Sequence, residues 1–318
     1  MRKYYWIALS SILIACNQKQ DSIELDGNST QLDSIFTTPL GISYPIPEPS
    51  DRLIAQFQEA KENYEANPKD MENILWYGRR TAYLGEYRRA IDIYSQGLKN
   101  HPSEPRLYRH RGHRYISLRE YKLAIADLEK AAKLIEGTAD EVEPDGMPNA
   151  MNIPVSSLQG NIWYHLGLAY YLTHQYEKAY TAYLRCRETG DLYDNIVSST
   201  HWLYMIQQRL ENPKKADSLL SPIHPDSTVI ENQSYADLCR LYKGWIPVDS
   251  VLVEGPANPS NDAVRYGVAN WYLYRGDTAR AKKMMEELVT DKAFSSFGYI
   301  AAESDLVYYF GRSNVVKQ

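Results

Sequence analysis

The chain has 318 residues, of which 44% are hydrophobic and 24% charged, enough apolar material for a sizeable core. Its formal charge is -5 at pH 7. Removal of residues 1 to 15, which include Arg2 and Lys3, would take it to -7, and so acidic a chain is a poor candidate for nucleic-acid binding, which excludes that class.

Residues 1–16, MRKYYWIALSSILIAC, begin with Arg2 and Lys3 and continue into a short apolar run. The run is too short to span a bilayer and reads as an export signal. Its end, Leu13-Ile14-Ala15-Cys16, resembles a bacterial lipobox, which implies acylation of Cys16 and attachment to a membrane of the cell envelope through lipid. Residues 17–50 are rich in Asn, Gln, Ser, Thr, Asp and Pro. Such composition predicts a flexible tether reaching roughly 30 Å.

From residue 51 a helical period takes over. Leu53, Phe57, Ala60 and Tyr64 form one stripe, an amino-terminal capping helix that ends before Pro68. Gly78, Tyr87, Ala90 and Tyr94 then recur, each shifted by 34 residues, as Gly112, Tyr121, Ala124 and Leu128. Glycines on one helix and alanines on the next let two backbones cross closely, while the large side chains beside them fill the wedge between helices. Pro102 stops the second helix of its pair. The pattern returns at Gly167, Tyr176, Ala179 and Tyr183, 55 residues after Gly112, so the spacing carries an insertion of 21 residues. That insertion falls within 136–159, has an acidic first half (Glu136, Asp140, Glu141, Glu143, Asp145), and is interrupted by Pro144, Pro148 and Pro154. A fourth unit keeps Leu203, Ala216 and Leu220, and residues 231–245 predict a further helix with a short partner near 248–252. Ala269, Tyr272, Gly276, Ala281, Met285 and Leu288 restore the spacing, and a last helix within 294–310 is expected to cover the open end.

A 34-residue self-similarity with these residues resembles the tetratricopeptide repeat, TPR. The resemblance implies an all-α solenoid of about five to six helix pairs plus caps over residues 51–311, with a right-handed superhelical course and a tail at 312–318. Two residues depart from the family pattern, Arg111 in an aliphatic place and Arg119 in a glycine place. In such arrays the first helices line a groove. The family's groove positions fall on Leu75, Arg79 and Tyr83, on Arg106, Arg109 and His113, and on Asn161, Tyr164 and Tyr171.

Arg79, Arg106 and Arg109 with His113 suit carboxylates, whose two oxygens match the paired guanidinium donors. The acidic insertion of the same chain is a competing partner for them. These positions imply a scaffold that holds a protein or peptide partner, with an anionic segment as one candidate. A small-molecule or glycan binder of a nutrient-uptake system, with the insertion as a lid, is the alternative, as is a purely structural role. His110 and His113 lack a third metal ligand and are flanked by arginines, so no metal or cofactor is expected. No hydrolase elbow, zincin helix, phosphate-binding glycine loop or paired C-x-x-C occurs, and no enzymatic role is expected. Cys186 and Cys239 fall on helical core positions and read as buried thiols.

Overall fold

A computed structural model describes residues 35–45, 48–226, 228–252, 259–290 and 293–311. The chain divides into residues 1–32 and a unit Asp33–Gln318, to which everything below refers. The export signal with Cys16, the tether residues 17–34 and the tail 312–318 lie outside the described residues.

Among the described residues there are 13 α-helices. Helix α1 (Asp51–Ala66) is capped by the Ser50 hydroxyl, which accepts from the Leu53 amide, and it buries Phe57 and Ala60. Five pairs follow: α2 (Met71–Tyr83) with α3 (Tyr87–Asn100), α4 (Pro105–Ser117) with α5 (Tyr121–Leu134), α6 (Leu158–Leu172) with α7 (Tyr176–Arg187), α8 (Tyr193–Arg209) with α9 (Pro213–Leu219), and α11 (Pro259–Tyr274) with α12 (Thr278–Leu288). Between the last two stands α10 (Gln233–Tyr242), whose expected partner is reduced to a 3-10 turn at Val248–Ser250 after Pro247. Helix α13 (Phe297–Phe310) completes the order.

A Cβ on Gly78 would stand 2.2 Å from the Tyr94 ring, and one on Gly167 would stand 2.7 Å from the Tyr183 ring. Ala90, Ala124 and Ala179 have no exposed surface. The turn joining the helices of a pair needs one residue in the left-handed region, supplied in order by Gly85, Arg119, His174, Glu211 and Gly276, with φ between 58° and 89°. Glycine adopts this conformation without a Cβ penalty, whereas a side chain costs about 1 kcal/mol.

Two features depart from the sequence reading. Residues 35–45, assigned above to the tether, form a hairpin of β1 (Ile35–Thr37) and β2 (Ser43–Pro45), and Leu40 at its tip is buried in the main helical core. Strands of three residues are too short to produce a readable alternation. Helix α13 does more than cover α11 and α12, because it also reaches α6 and the turns of the second and third pairs. Arg119, in its glycine place, donates from Nε to Glu303 Oε2 at 2.7 Å and from Nη2 to the Phe294 carbonyl at 2.7 Å. His174 lies 3.3 Å from Asp305, which also accepts from Arg209 at 2.5 Å and from the Tyr266 hydroxyl at 2.9 Å. Charges this deeply buried persist only when paired.

Candidate functional site: a cleft under the insertion

The insertion after α5 leaves the helical array at Ile135 and returns as a bridge between Val142 and Ser157. Ser157 then caps α6 by accepting from the Gly160 amide. The insertion thereby lies across the first helices, with two hollows of about 400 and 250 Å³ beneath it that share Ser156, Asn161 and Glu231.

The larger hollow is mainly aromatic, with Glu231 as its one ionised side chain. Tyr164, His165, Tyr235 and Phe297 line it, with Asn195 and Ser198 as polar neighbours. Tyr164 is locked by Trp202, whose Nε1 donates to its hydroxyl at 2.9 Å, and by the Tyr235 hydroxyl at 2.9 Å. His165 Nδ1 lies 2.6 Å from the Asn161 carbonyl, so that nitrogen carries the proton and Nε2 remains an acceptor. Its ring packs 4.4 Å from that of His113. Burial, with Arg109 in second place, lowers the His165 pKa to about 3. Burial likewise holds His113 well below the ordinary histidine range, so both rings are neutral at pH 7.

The smaller hollow is charged, with three guanidinium groups and the carboxylates of Glu143, Asp145 and Glu231 on its wall. Arg79, Arg109 and Arg114 contribute guanidinium groups to its wall, with Tyr83, His110 and Glu143. Glu143 comes from the insertion. Its Oε2 stands 3.3 Å from Arg109 Nη2, its Oε1 2.8 Å from His110 Nε2, and Asn161 Nδ2 donates to it at 2.6 Å. Arg109 Nη1 is 2.9 Å from His110 Nδ1, which fixes the neutral ring with its proton on Nε2, facing the carboxylate. Burial alone would raise the Glu143 carboxyl, but Arg109 and His110 outweigh it and hold the group well below the usual carboxylate range.

The nine groove positions therefore separate. Arg79, Tyr83, Arg109, His113, Asn161 and Tyr164 meet around the two hollows. Leu75 is buried in the core of the first two pairs, and the Tyr171 hydroxyl is 2.6 Å from that of Tyr266 and accepts from Asn270, so neither faces a ligand. Arg106 is drawn to Glu104, the cap of its own helix, and to Glu72 one repeat earlier, at 2.8 and 2.6 Å. It stands apart from the other two arginines for that local reason. Phe297, Tyr235 and Glu143 join the site from distant sequence positions that helical periodicity could not bring together. Among the described residues no group of three or more His, Cys, Asp or Glu stands in an arrangement for a metal ion. Cys186 and Cys239 are free and buried. No described helix is long and apolar enough to cross a membrane.

Fold and cleft together define an all-α array of TPR-type helical hairpins with a roofed inner face. No family model matches the chain. It is similar in structure to YrrB, a TPR protein with an unusual peptide-binding site (16% identity, TM-score 0.43, covering 75% of this chain and 96% of that one). It is likewise similar to a tetratricopeptide repeat protein from Parabacteroides merdae (14%, TM-score 0.46, 78% and 92%). MamA from Desulfovibrio magneticus is similar over 54% of this chain and 84% of its own, at 21% identity and TM-score 0.42.

Proposed function

We propose that the chain is a scaffold of the bacterial cell envelope, anchored through an acylated Cys16 on its periplasmic or outer face, that takes a segment of a protein partner in the cleft under the insertion. The observation that carries this reading is the pair of adjoining hollows on the first helices, one mainly aromatic, the other lined by three guanidinium groups of which only that of Arg109 is ion-paired. Aromatic rings supply contact area at low entropic cost, and guanidinium groups give paired donors to carboxylates. Tyr83, Asn161 and Tyr164 would contact the segment directly, with Arg79, Arg109 and His113 on its anionic side, while Leu75, Arg106 and Tyr171 hold the helices behind them. No chemistry is assigned to the site, and neither cofactor nor nucleic acid belongs to this reading. The test is photo-crosslinking in cells from a reactive residue at Leu192, an exposed side chain at the mouth of the larger hollow. One dominant envelope protein is expected; absence of any captured protein would refute the scaffold.

A second reading has its own support, since a roofed hollow of about 400 Å³ falls within the range of small-ligand pockets, roughly 300 to 1,000 Å³. A glycan or nutrient molecule bound there would raise the melting temperature of the purified chain in a panel of soluble sugars, a shift that a groove for protein would not show.

A further inference from the structure

The insertion is seated in an unusual way. Its large apolar side chains do not anchor it: Val142, Met147 and Met151 are 61 to 62% exposed. Its hold on the helices is polar. Glu143 reaches Arg109, His110 and Asn161; the Pro144 carbonyl accepts from Arg79 Nη1 at 2.8 Å, and the Gly146 carbonyl accepts from Arg80 Nη1 at 2.8 Å. Gly146 fits because it has no Cβ, which would stand 2.2 Å from the Tyr83 hydroxyl and 2.9 Å from Arg79 Nη2. One carboxylate and two main-chain carbonyls make up this grip, and any extended acidic peptide possesses both kinds of group.

The seat is also left with unused capacity. Among the described residues Arg79 and Arg114 make no ion pair, and the Nε atoms of Arg79 and Arg109 are buried without a hydrogen-bond partner. Of the three carboxylates on the wall of this hollow, Glu143, Asp145 and Glu231, only Glu143 is ion-paired to an arginine among the described residues, so the Arg79 and Arg114 guanidinium groups remain without a carboxylate partner.

We infer that Glu143–Gly146 is a built-in occupant of the partner site: a strap that closes the cleft and is displaced by an extended acidic stretch of the partner protein making the same contacts. This rests on the reading of the cleft as a protein-segment site. A tethered occupant competes at a high effective concentration, so the closed chain binds outside peptides weakly until the strap is loosened.

The chain's own segment, labelled EVEPDGMP (residues 141–148), is the probe, titrated into the purified full chain by fluorescence polarisation. Two variants loosen the strap differently: Glu143→Gln removes its charge, and Gly146→Val drives it off Tyr83 while leaving every charge in place. Hydrogen exchange over residues 141–148 reports whether it has lifted. The expected result is faster exchange in both variants, with peptide binding about tenfold or more tighter than in the unchanged chain. The same peptide carrying Gln for its second glutamate should bind no variant measurably. Faster exchange without tighter binding would overturn the proposal, and so would exchange that stays as slow as in the unchanged chain. Either failure leaves the cellular crosslinking result standing, and a failed crosslink leaves the peptide result standing.

Discussion

Replacing a left-handed turn residue by glycine should have opposite effects at two equivalent places. Arg119 and Glu211 occupy the same turn position, with φ of 62° and 58°. Glycine relieves each of about 1 kcal/mol of backbone strain. At Glu211, which is exposed, nothing else is lost, so Glu211→Gly should stabilise by about 0.5 to 1 kcal/mol. At Arg119 the guanidinium also holds Glu303 and the Phe294 carbonyl, and the paired side chains are only 4% and 1% exposed. Stripping a buried carboxylate of its partner costs about 3 to 5 kcal/mol, so Arg119→Gly should destabilise by about 2 to 4 kcal/mol net. Native-state hydrogen exchange reads this locally. Amides of α13 should exchange roughly thirty to a thousand times faster in Arg119→Gly, while Glu211→Gly leaves them unchanged and raises the urea midpoint. If both substitutions stabilise the chain, the Arg119–Glu303 bridge does not hold α13 and the reasoning fails.

Acidification should destabilise the fold from near pH 6.5 downward. His165 and His201 are lowered to about 3 by burial, and His110 and His113 are also held well below 6.5. The unfolded chain therefore binds protons that the folded one refuses, with a slope of up to about 1.4 kcal/mol per pH unit for each ring. Denaturant titrations between pH 7.5 and 4 measure it, and His165→Gln should remove one proton's share. The contribution of Glu143, whose pKa is depressed, is present above its ordinary value of 4.5 and is lost only as the pH falls below it, which separates the two effects. Gly78→Ala forces a methyl toward the Tyr94 ring and should cost about 1 to 3 kcal/mol, seen as a lower melting temperature. Burial pushes the Cys186 thiol up to about 12 and raises that of Cys239 as well. A thiol reagent should reach these two only on unfolding, and rapid labelling of either in the native chain would contradict their burial.

The helical pairs were legible because their signals are local. Gly78 and Tyr94, or Gly167 and Tyr183, lie 16 residues apart and meet within a single hairpin. The site was legible only in part. Periodicity places Arg106 and Arg109 on one face, but it does not know that Glu104 lies two residues away and takes the first of them. It marks the acidic insertion and the basic helices as complementary, yet gives no means of choosing Glu143 among its five acidic residues. Phe297 enters the cleft from the far end of the chain, and Arg119 meets Glu303 across 184 residues. Contacts at that separation leave no periodic trace. Arg119 was nonetheless visible as an anomaly, a charged residue in a glycine place, and what it does there explains why the position abandons glycine.

The return of α13 also sets a timetable. In an open array each hairpin is finished as soon as its neighbour exists, and a growing chain can fold behind its own leading end. Here the turns of the second and third pairs wait for Glu303 and Asp305, which follow Arg119 and His174 by 184 and 131 residues. The second and third pairs are completed by α13, so a chain cut short before that helix loses more than a cap. It leaves two left-handed turn residues and a buried arginine without the carboxylates they are built to meet, and early interruption is felt at the centre of the fold.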